Sequence, residues 1–344
     1  MTASGKDSPV RIGLIGSGWI GSFHAQSIAQ RVPGAVLSMV ADPVPGAAER
    51  LASSVGGVRA VTDAAAVFAA EEVDAVLISA PADTHADLVV AAAAAGKAVF
   101  CEKPMALTLA DADRAIEATQ AAGVALQVGF NRRFAADFAA AHDSIVAGDV
   151  GQVQLMRSVT RDPGLSDPSK VKPWVIFFET LIHDFDALSW LNPGARPIEV
   201  YAIADALIRP DFKDRGLLDT AVVVLRFDNG AMATAEASFQ AVYGYDIRGE
   251  VFGSAGMVTA GDVRRTAMTA YKADGIAIDT VRLNTELFRH AYTAQLVHFV
   301  HCVRTGTHPT VTGADARRAL SIALAARTSV ESGRPVQVVD PVPR

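Results

Sequence analysis

The sequence predicts a two-domain α/β protein whose N-terminal part is a doubly wound parallel sheet. Three observations carry this. A glycine-rich turn at Gly16 sits between a β-prone run and a helix-prone one, and short strands then alternate with helices to about residue 127. Further on, Asp228-Asn229-Gly230 forms a hairpin signal between two alternating runs. A chain of 344 residues is long enough for two cores, and 50% hydrophobic with 20% charged residues is ordinary globular composition. The net charge of −6 signals no basic face for nucleic acid or an acidic membrane. Cys101 and Cys302 fit no zinc or disulfide-framework spacing, which points to a reduced, cytoplasmic setting. Residues 1–9 are polar and lack the apolar core of a signal peptide. The longest apolar run, residues 88–95, is too short to span a bilayer.

Residues 10–16 read as a strand that leads into Gly16-Ser17-Gly18-Trp19-Ile20-Gly21, with a helix over residues 19–30. In this G-x-G-x-x-G pattern the first glycine makes the tight turn and the second lets a pyrophosphate approach the backbone. The third allows close helix–strand packing. The pyrophosphate is expected at the helix N-terminus, on the N–H groups around Trp19 and Ile20. A second strand, residues 35–41, ends in Asp42, 21 positions beyond Gly21. An acid there binds the ribose hydroxyls of an adenosine and repels a 2′-phosphate, which favours NAD over NADP.

Helices over residues 45–54 and 63–71 flank a weak strand at 58–61. The apolar run 74–81 suits a strand buried on both faces. Asp83 or Thr84 caps a helix from His85 to Ala95 that Gly96 ends. Residues 98–101 return as a strand. His85 falls at the carboxyl end of the 74–81 strand and reads as structural or near the cofactor. The strand at 98–101 runs into Glu102-Lys103-Pro104, and ligands of such sheets bind beyond the strand ends. Lys103 therefore emerges where a nicotinamide ring is expected, able to hydrogen-bond a hydroxyl and steady a developing alkoxide. By itself, a lone lysine is a surface charge.

Residues 127–130 close this domain, giving a cofactor domain over 1–127 and a second domain over 128–344. A connecting helix is expected over 133–147, a strand over 153–161, and a Pro-, Gly- and Ser-rich cover over 162–173. Strands follow at 197–206, 220–227, 231–239 and 245–253, with 257–259, 266–271 and 276–281 extending the same sheet. Helices at 289–304 and 315–332 complete the chain. His298 and His301 follow an amphipathic pattern without acids or cysteines nearby and read as surface or interface histidines.

Between these elements, residues 177–191 contain no helix breaker and predict one continuous α-helix, apolar nearly all round and hence buried. Glu179, His183 and Asp186 fall on one of its stripes, at i, i+4 and i+7. A histidine beside a carboxylate suits proton transfer near neutrality. A self-satisfied buried pair and a Glu/His/Asp metal site are the alternatives that the stretch leaves open.

Together, Gly16-x-Gly18-x-x-Gly21, Glu102-Lys103-Pro104 and Glu179-x-x-x-His183 resemble the glucose–fructose oxidoreductase/inositol dehydrogenase (Gfo/Idh/MocA) family, closest to its inositol 2-dehydrogenase branch. Residues 129–134, 182–186 and 242–246, with Ala291-Tyr292 and Asp315, extend the resemblance over nearly the whole chain. It implies an N-terminal Rossmann domain that binds NAD through Gly16, Gly18, Trp19, Ile20, Gly21, Asp42, Glu102 and Lys103. It also implies a C-terminal α/β domain on a large open, mainly antiparallel sheet.

By the same resemblance Lys103 positions a reacting hydroxyl, His183 is the acid/base, and Glu179 supports it. Arg133, Thr160, Asp162, Asp186 and Tyr243 fall at polyol-site positions, and no metal is implied. Two departures bear on the substrate. The branch carries Asp where this chain has Glu179, and His-Arg-Asn-Pro where it has Thr160-Arg161-Asp162-Pro163. The expected activity is oxidation of a secondary hydroxyl of a cyclitol or sugar with NAD. A keto-sugar or anhydrosugar reductase and a non-catalytic NAD-binding regulator are the alternatives. The open sheet face is expected to pair subunits into a dimer or tetramer.

Overall fold

The computed structural model describes residues 8–164 and 171–339. Residues 165–170 of the expected cover lie outside that range. The chain forms two compact units: residues up to Asn131 with His290–Arg317, and Arg132–Arg289 with the residues from Arg318 onward.

The first unit is built on β1 (Val10–Ile15), α1 (Trp19–Arg31), β2 (Ala35–Ala41), α2 (Ala47–Ser54), β3 (Arg59–Val61), α3 (Ala64–Ala69), β4 (Ala75–Ile78), α4 (His85–Ala94), β5 (Ala98–Cys101), α5 (Leu109–Ala122) and β6 (Leu126–Val128). Its six strands run in the order β3-β2-β1-β4-β5-β6, all parallel. The chain reverses direction across the sheet at β1/β4, as in a doubly wound fold, so the carboxyl ends of β1 and β4 flank a crevice. Sequence reading passes over α5, an Ala-rich helix that Thr108 caps by accepting from Asp111 N at 3.1 Å. The core gathers Ile12, Leu14, Val40, Leu77 and Phe100 with Leu296, Phe299 and Val300 from the later helix over Arg289–Thr305. Glycines mark the tight places. A Cβ on Gly13 would lie 2.3 Å from Val67 Cγ1, and one on Gly21 2.0 Å from the Gly16 carbonyl oxygen.

The second unit contains α6 (Ala136–Ala147), β7 (Val153–Arg161), α7 (Ile182–Trp190), β8 (Pro197–Asp205), β9 (Thr220–Phe227), β10 (Met232–Ser238), β11 (Asp246–Gly253), β12 (Met257–Ala260), β13 (Thr269–Lys272), β14 (Gly275–Ile278) and α8 (Asn284–Leu287). The chain continues through α9 (Arg289–Thr305), α10 (Gly313–Ser332) and β15 (Val336–Gln337). The seven-stranded sheet has the order β12-β11-β7-β10-β9-β8-β15 and is antiparallel except at β7/β10. Register sorts its side chains into two faces. Met156, Ser158, Thr160, Ile247, Gly249, Ala233 and Ala235 are on the face that α6 and α7 cover. The small residues allow close approach: a Cβ at Gly249 would meet Phe138 of α6 at 3.1 Å. The other face exposes Leu155, Val222, Val224, Met232, Phe252 and Met257, interleaved with Arg157 and Glu236.

Three expectations change here. The segments at 266–271 and 276–281 do not extend the large sheet. β13 and β14 form a hairpin of their own, with every residue of β14 exposed. The connecting helix starts at Ala136, after a 3₁₀ turn over Asn131–Phe134. Residues 177–191 are not one α-helix either. A π-helical turn, Ile176–Thr180, precedes α7, with Leu181 N donating to Ile176 O at 2.8 Å. Trp174, just upstream, has φ +62°, a left-handed conformation that bulky residues rarely adopt. It is held by its N–H bond to Gly216 O at 2.9 Å and by stacking on Phe177.

Candidate active site

In the first unit, the glycine turn is shaped to receive a dinucleotide. Gly16 has φ +94°, and a Cβ there would lie 2.7 Å from Ala80 N. Gly18, the N-cap of α1, makes no side-chain cap, and a Cβ built on it meets nothing within 4 Å. The N–H groups at the start of α1 and the open space over Gly18 are what a pyrophosphate requires. Trp19 is exposed and Ile20 half-buried at the same turn. Asp42, at the end of β2, is only 9% exposed. Its Oδ2 accepts from Ser17 N and Ser17 Oγ, each at 2.7 Å, and its Oδ1 from Val44 N at 2.9 Å. Burial pushes this carboxyl pKa up. The Ser17 and Val44 bonds, with the Arg50 charge, outweigh it and hold the group below the usual carboxylate range. A carboxylate offers about four lone-pair sites, so three accepted bonds orient it and leave capacity for a ribose hydroxyl.

Lys103 follows β5. On one side of it in sequence, Glu102 is buried, and His24 Nε2 donates to its Oε1 at 2.7 Å. Glu102 Oε2 accepts from Lys103 N at 3.3 Å. On the other side, His85 Nδ1 lies 2.8 Å from Pro104 O, and its Nε2 2.8 Å from Ala80 O. Burial lowers the His85 pKa against the pull of those carbonyls and Glu102. Glu102, read from sequence as a cofactor ligand, thus spends one carboxylate oxygen on a buried histidine. Sequence reading did not single out His24 or Ser17; their spacing within α1 and the glycine turn carries no signal of these long-range partners.

In the second unit, Asp184 fixes α7 to the turn before α6 by a buried ion pair and to β7 by two hydroxyls. Arg132 Nη1 donates to Asp184 Oδ1 at 2.8 Å, with the two side chains 2% and 0% exposed. Asp184 also accepts from Ser158 Oγ at 2.5 Å and Thr160 Oγ1 at 2.7 Å. Arg132 Nη2 donates to Thr160 Oγ1 at 2.6 Å. Thr160, expected to line a polyol site, is therefore buried within this network. Beside it, Arg133 makes a bidentate pair with Asp186, at 2.9 and 2.5 Å, and its guanidinium lies 5.7 Å from the Trp190 ring centre. Two consecutive arginines thus hold the two acids that flank Phe185.

The stripe expected to be buried throughout is graded instead. Asp186 is buried, His183 half-buried, and Glu179, on the π turn, exposed. Asp162 receives a hydrogen bond from the Tyr245 hydroxyl, and burial with that carboxylate pushes the phenol pKa far up. Tyr243 instead donates to Asp246 Oδ2 at 2.7 Å, in a cluster with Arg161 and Arg248. Register places Asp246 opposite Arg161, on the sheet face away from Thr160. Among the described residues no group of three His, Cys, Asp or Glu side chains is arranged to hold a metal, and no helix is long and apolar enough to cross a membrane.

Residues 10–130 match the family model "Oxidoreductase family, NAD-binding Rossmann fold", and residues 138–259 match the GFO/IDH/MocA C-terminal domain. The chain belongs to the GFO/IDH/MocA oxidoreductase family. It is 37% identical over 330 residues to scyllo-inositol 2-dehydrogenase (NAD(+)) of Bacillus subtilis, covering 96% of each chain. It is also 37% identical to myo-inositol 2-dehydrogenase of Thermotoga maritima, over 96% of this chain and 98% of that one. The solved scyllo-inositol dehydrogenase of Lactobacillus casei, with bound NAD(H) and scyllo-inositol, superposes with a TM-score of 0.90 at 27% identity. That match covers 96% of this chain and 99% of the other. Membership makes this chain an NAD-binding oxidoreductase, and the glycine turn, α1 and Asp42 described above fit that cofactor.

Two measurements check this geometry. Asp184→Ala leaves a buried guanidinium without its main partner, so unfolding in urea should show a loss of roughly 3–5 kcal/mol. Asp74→Ala, which breaks the half-exposed Arg11–Asp74 pair, should cost under about 1 kcal/mol. Asp42 has a depressed native pKa, so its contribution is present above the ordinary carboxylate pKa and lost as pH falls through the native value. The stability gap between wild type and Asp42→Asn should therefore narrow below about pH 4, and a gap that widens in acid would contradict this bonding.

Proposed function

We propose that the chain is an NAD-dependent dehydrogenase that oxidises a secondary hydroxyl of a cyclitol, in the manner of an inositol 2-dehydrogenase. The observation that carries the reading is the setting of His183. It lies half-buried on a helix whose neighbouring acids, Asp184 and Asp186, are locked by Arg132 and Arg133. Those two ion pairs hold the backbone on either side of His183, so the imidazole is presented from a fixed position on α7. The names of the relatives support a cyclitol as substrate.

In this proposal His183 takes the proton of the reacting hydroxyl, and Glu179 supports the imidazolium that results. Lys103 donates a hydrogen bond to the same oxygen and steadies it as charge develops. NAD, when bound, supplies the hydride acceptor. The glycine turn holds its pyrophosphate, and Asp42 its adenosine ribose. Asp162, oriented by Tyr245, and Arg133 with Asp186 orient the remaining polyol hydroxyls. The Asp162 carboxylate and the longer, exposed Glu179 acid favour a polyol other than myo-inositol itself. We also propose that the exposed apolar face of the seven-stranded sheet pairs with the same face of a second copy, since an isologous contact buries both at once.

NADH absorbance, read against inositols, aldoses and anhydrosugars with NAD or NADP, tests the reaction. NAD reduction by a polyol should fall at least about 100-fold in His183→Ala, the size of a lost general base. Undiminished turnover in that variant would sink the assignment. Val222→Glu with Val224→Lys should shift the size-exclusion peak toward the monomer. An unchanged peak would exclude this face as the contact.

A further inference from the structure

Lys103 has to hold its place on a chain that has just left the sheet. β5 ends at Cys101, and nothing in strand pairing fixes residues 102–104 beyond the bond from Glu102 N to Ile78 O. Two buried histidines take over there. His24, fully buried on α1, binds the Glu102 side chain, and that carboxylate reaches forward to Lys103 N. The His24 ring is itself fixed by T-shaped contacts with Phe23, Phe100 and Tyr292, at 6.1, 5.8 and 5.8 Å. The Glu102 carboxylate rests against Gly129, where a Cβ would come within 2.9 Å of Oε2. His85, 2% exposed at the start of α4, places its ring between the carbonyls of Pro104 and Ala80. It thereby ties the residue after Lys103 to the carboxyl end of β4. A neutral imidazole has one N–H and a protonated one has two. One carbonyl is thus always held, and protonation holds both.

We infer that His24 and His85 are positioning residues for Lys103, gripping the chain immediately before and after it so that the ammonium is delivered to one place. The inference rests on the proposed role of Lys103. Neither histidine needs to touch substrate. Their action passes through Glu102 and Pro104, and it concerns the geometry of one oxygen contact. A displacement of about 1 Å at such a contact costs on the order of 100-fold in rate.

The test is a double-mutant cycle on the full chain, with the polyol identified by the panel above. NADH binding by fluorescence and thermal melting are read in parallel. His24→Ala and His85→Ala should each lower kcat on the order of 10- to 100-fold. KM and the NADH Kd should stay within about threefold. The Gln variants, which keep one N–H donor, should recover part of the loss; where an Ala variant does not fold, its Gln variant enters the cycle. In the Lys103→Ala background, the same substitutions should cost less than about twofold, because the group they position is gone. Equal losses in both backgrounds would overturn the inference, as would a loss that follows NADH affinity or no loss at all. Full turnover in Lys103→Ala alone would bring down the proposed role of Lys103, and the inference with it.

Discussion

The buried Arg132–Asp184 pair is the interaction on which the second unit's candidate chemistry depends. A carboxylate with no exposure is tolerable only if its charge and lone pairs are answered. Here one guanidinium and two hydroxyls do so. The partners come from the turn before α6 and from β7, while Asp184 is on α7, so satisfying one charge fixes the helix against the sheet. Such a pair adds little net stability over an apolar core. Its effect is specificity, since any slide of α7 would strand the charge. His183 is the preceding residue, so the same penalty on misplacement helps to set its position.

The first unit uses the same logic at its strand ends. Asp42 would be costly so near to burial without the Ser17 and Val44 donors. With them, it braces the glycine turn before any ribose arrives. The acid proposed to meet the adenosine ribose thus also shapes the glycine loop beside it.

The parallel sheet was legible because its strands are short apolar runs punctuated by Gly, Pro and Asp. β2 and β5 have the ends read from the sequence, and β1 stops one residue short of its expected end. The Asp228-Asn229-Gly230 turn announced antiparallel pairing of β9 with β10. What escaped was long-range. Nothing local marks His24 as the partner of Glu102, 78 positions away, or Thr160 as part of a network centred on Asp184. The π turn escaped because Phe177-Phe178-Glu179-Thr180 has ordinary helix-forming residues. The distortion comes from upstream, where Trp174 is held left-handed by Gly216. The β13–β14 hairpin misled for the opposite reason: its alternation is strand-like, and only its register partners decide which sheet it joins.

That π turn has an evolutionary consequence. A π-helical turn is an α-helical turn with one extra residue, accommodated locally as a bulge. The segment from Ile176 to Thr180 can therefore gain or lose a residue while α7, anchored independently through Asp184 and Asp186, stays where it is. The acid at position 179 is free to drift in length and reach from one descendant of this scaffold to the next, while the histidine four residues later keeps its address. A single-codon insertion or deletion can be absorbed at that point, a change that an unbroken α-helix would pass on to every residue beyond it.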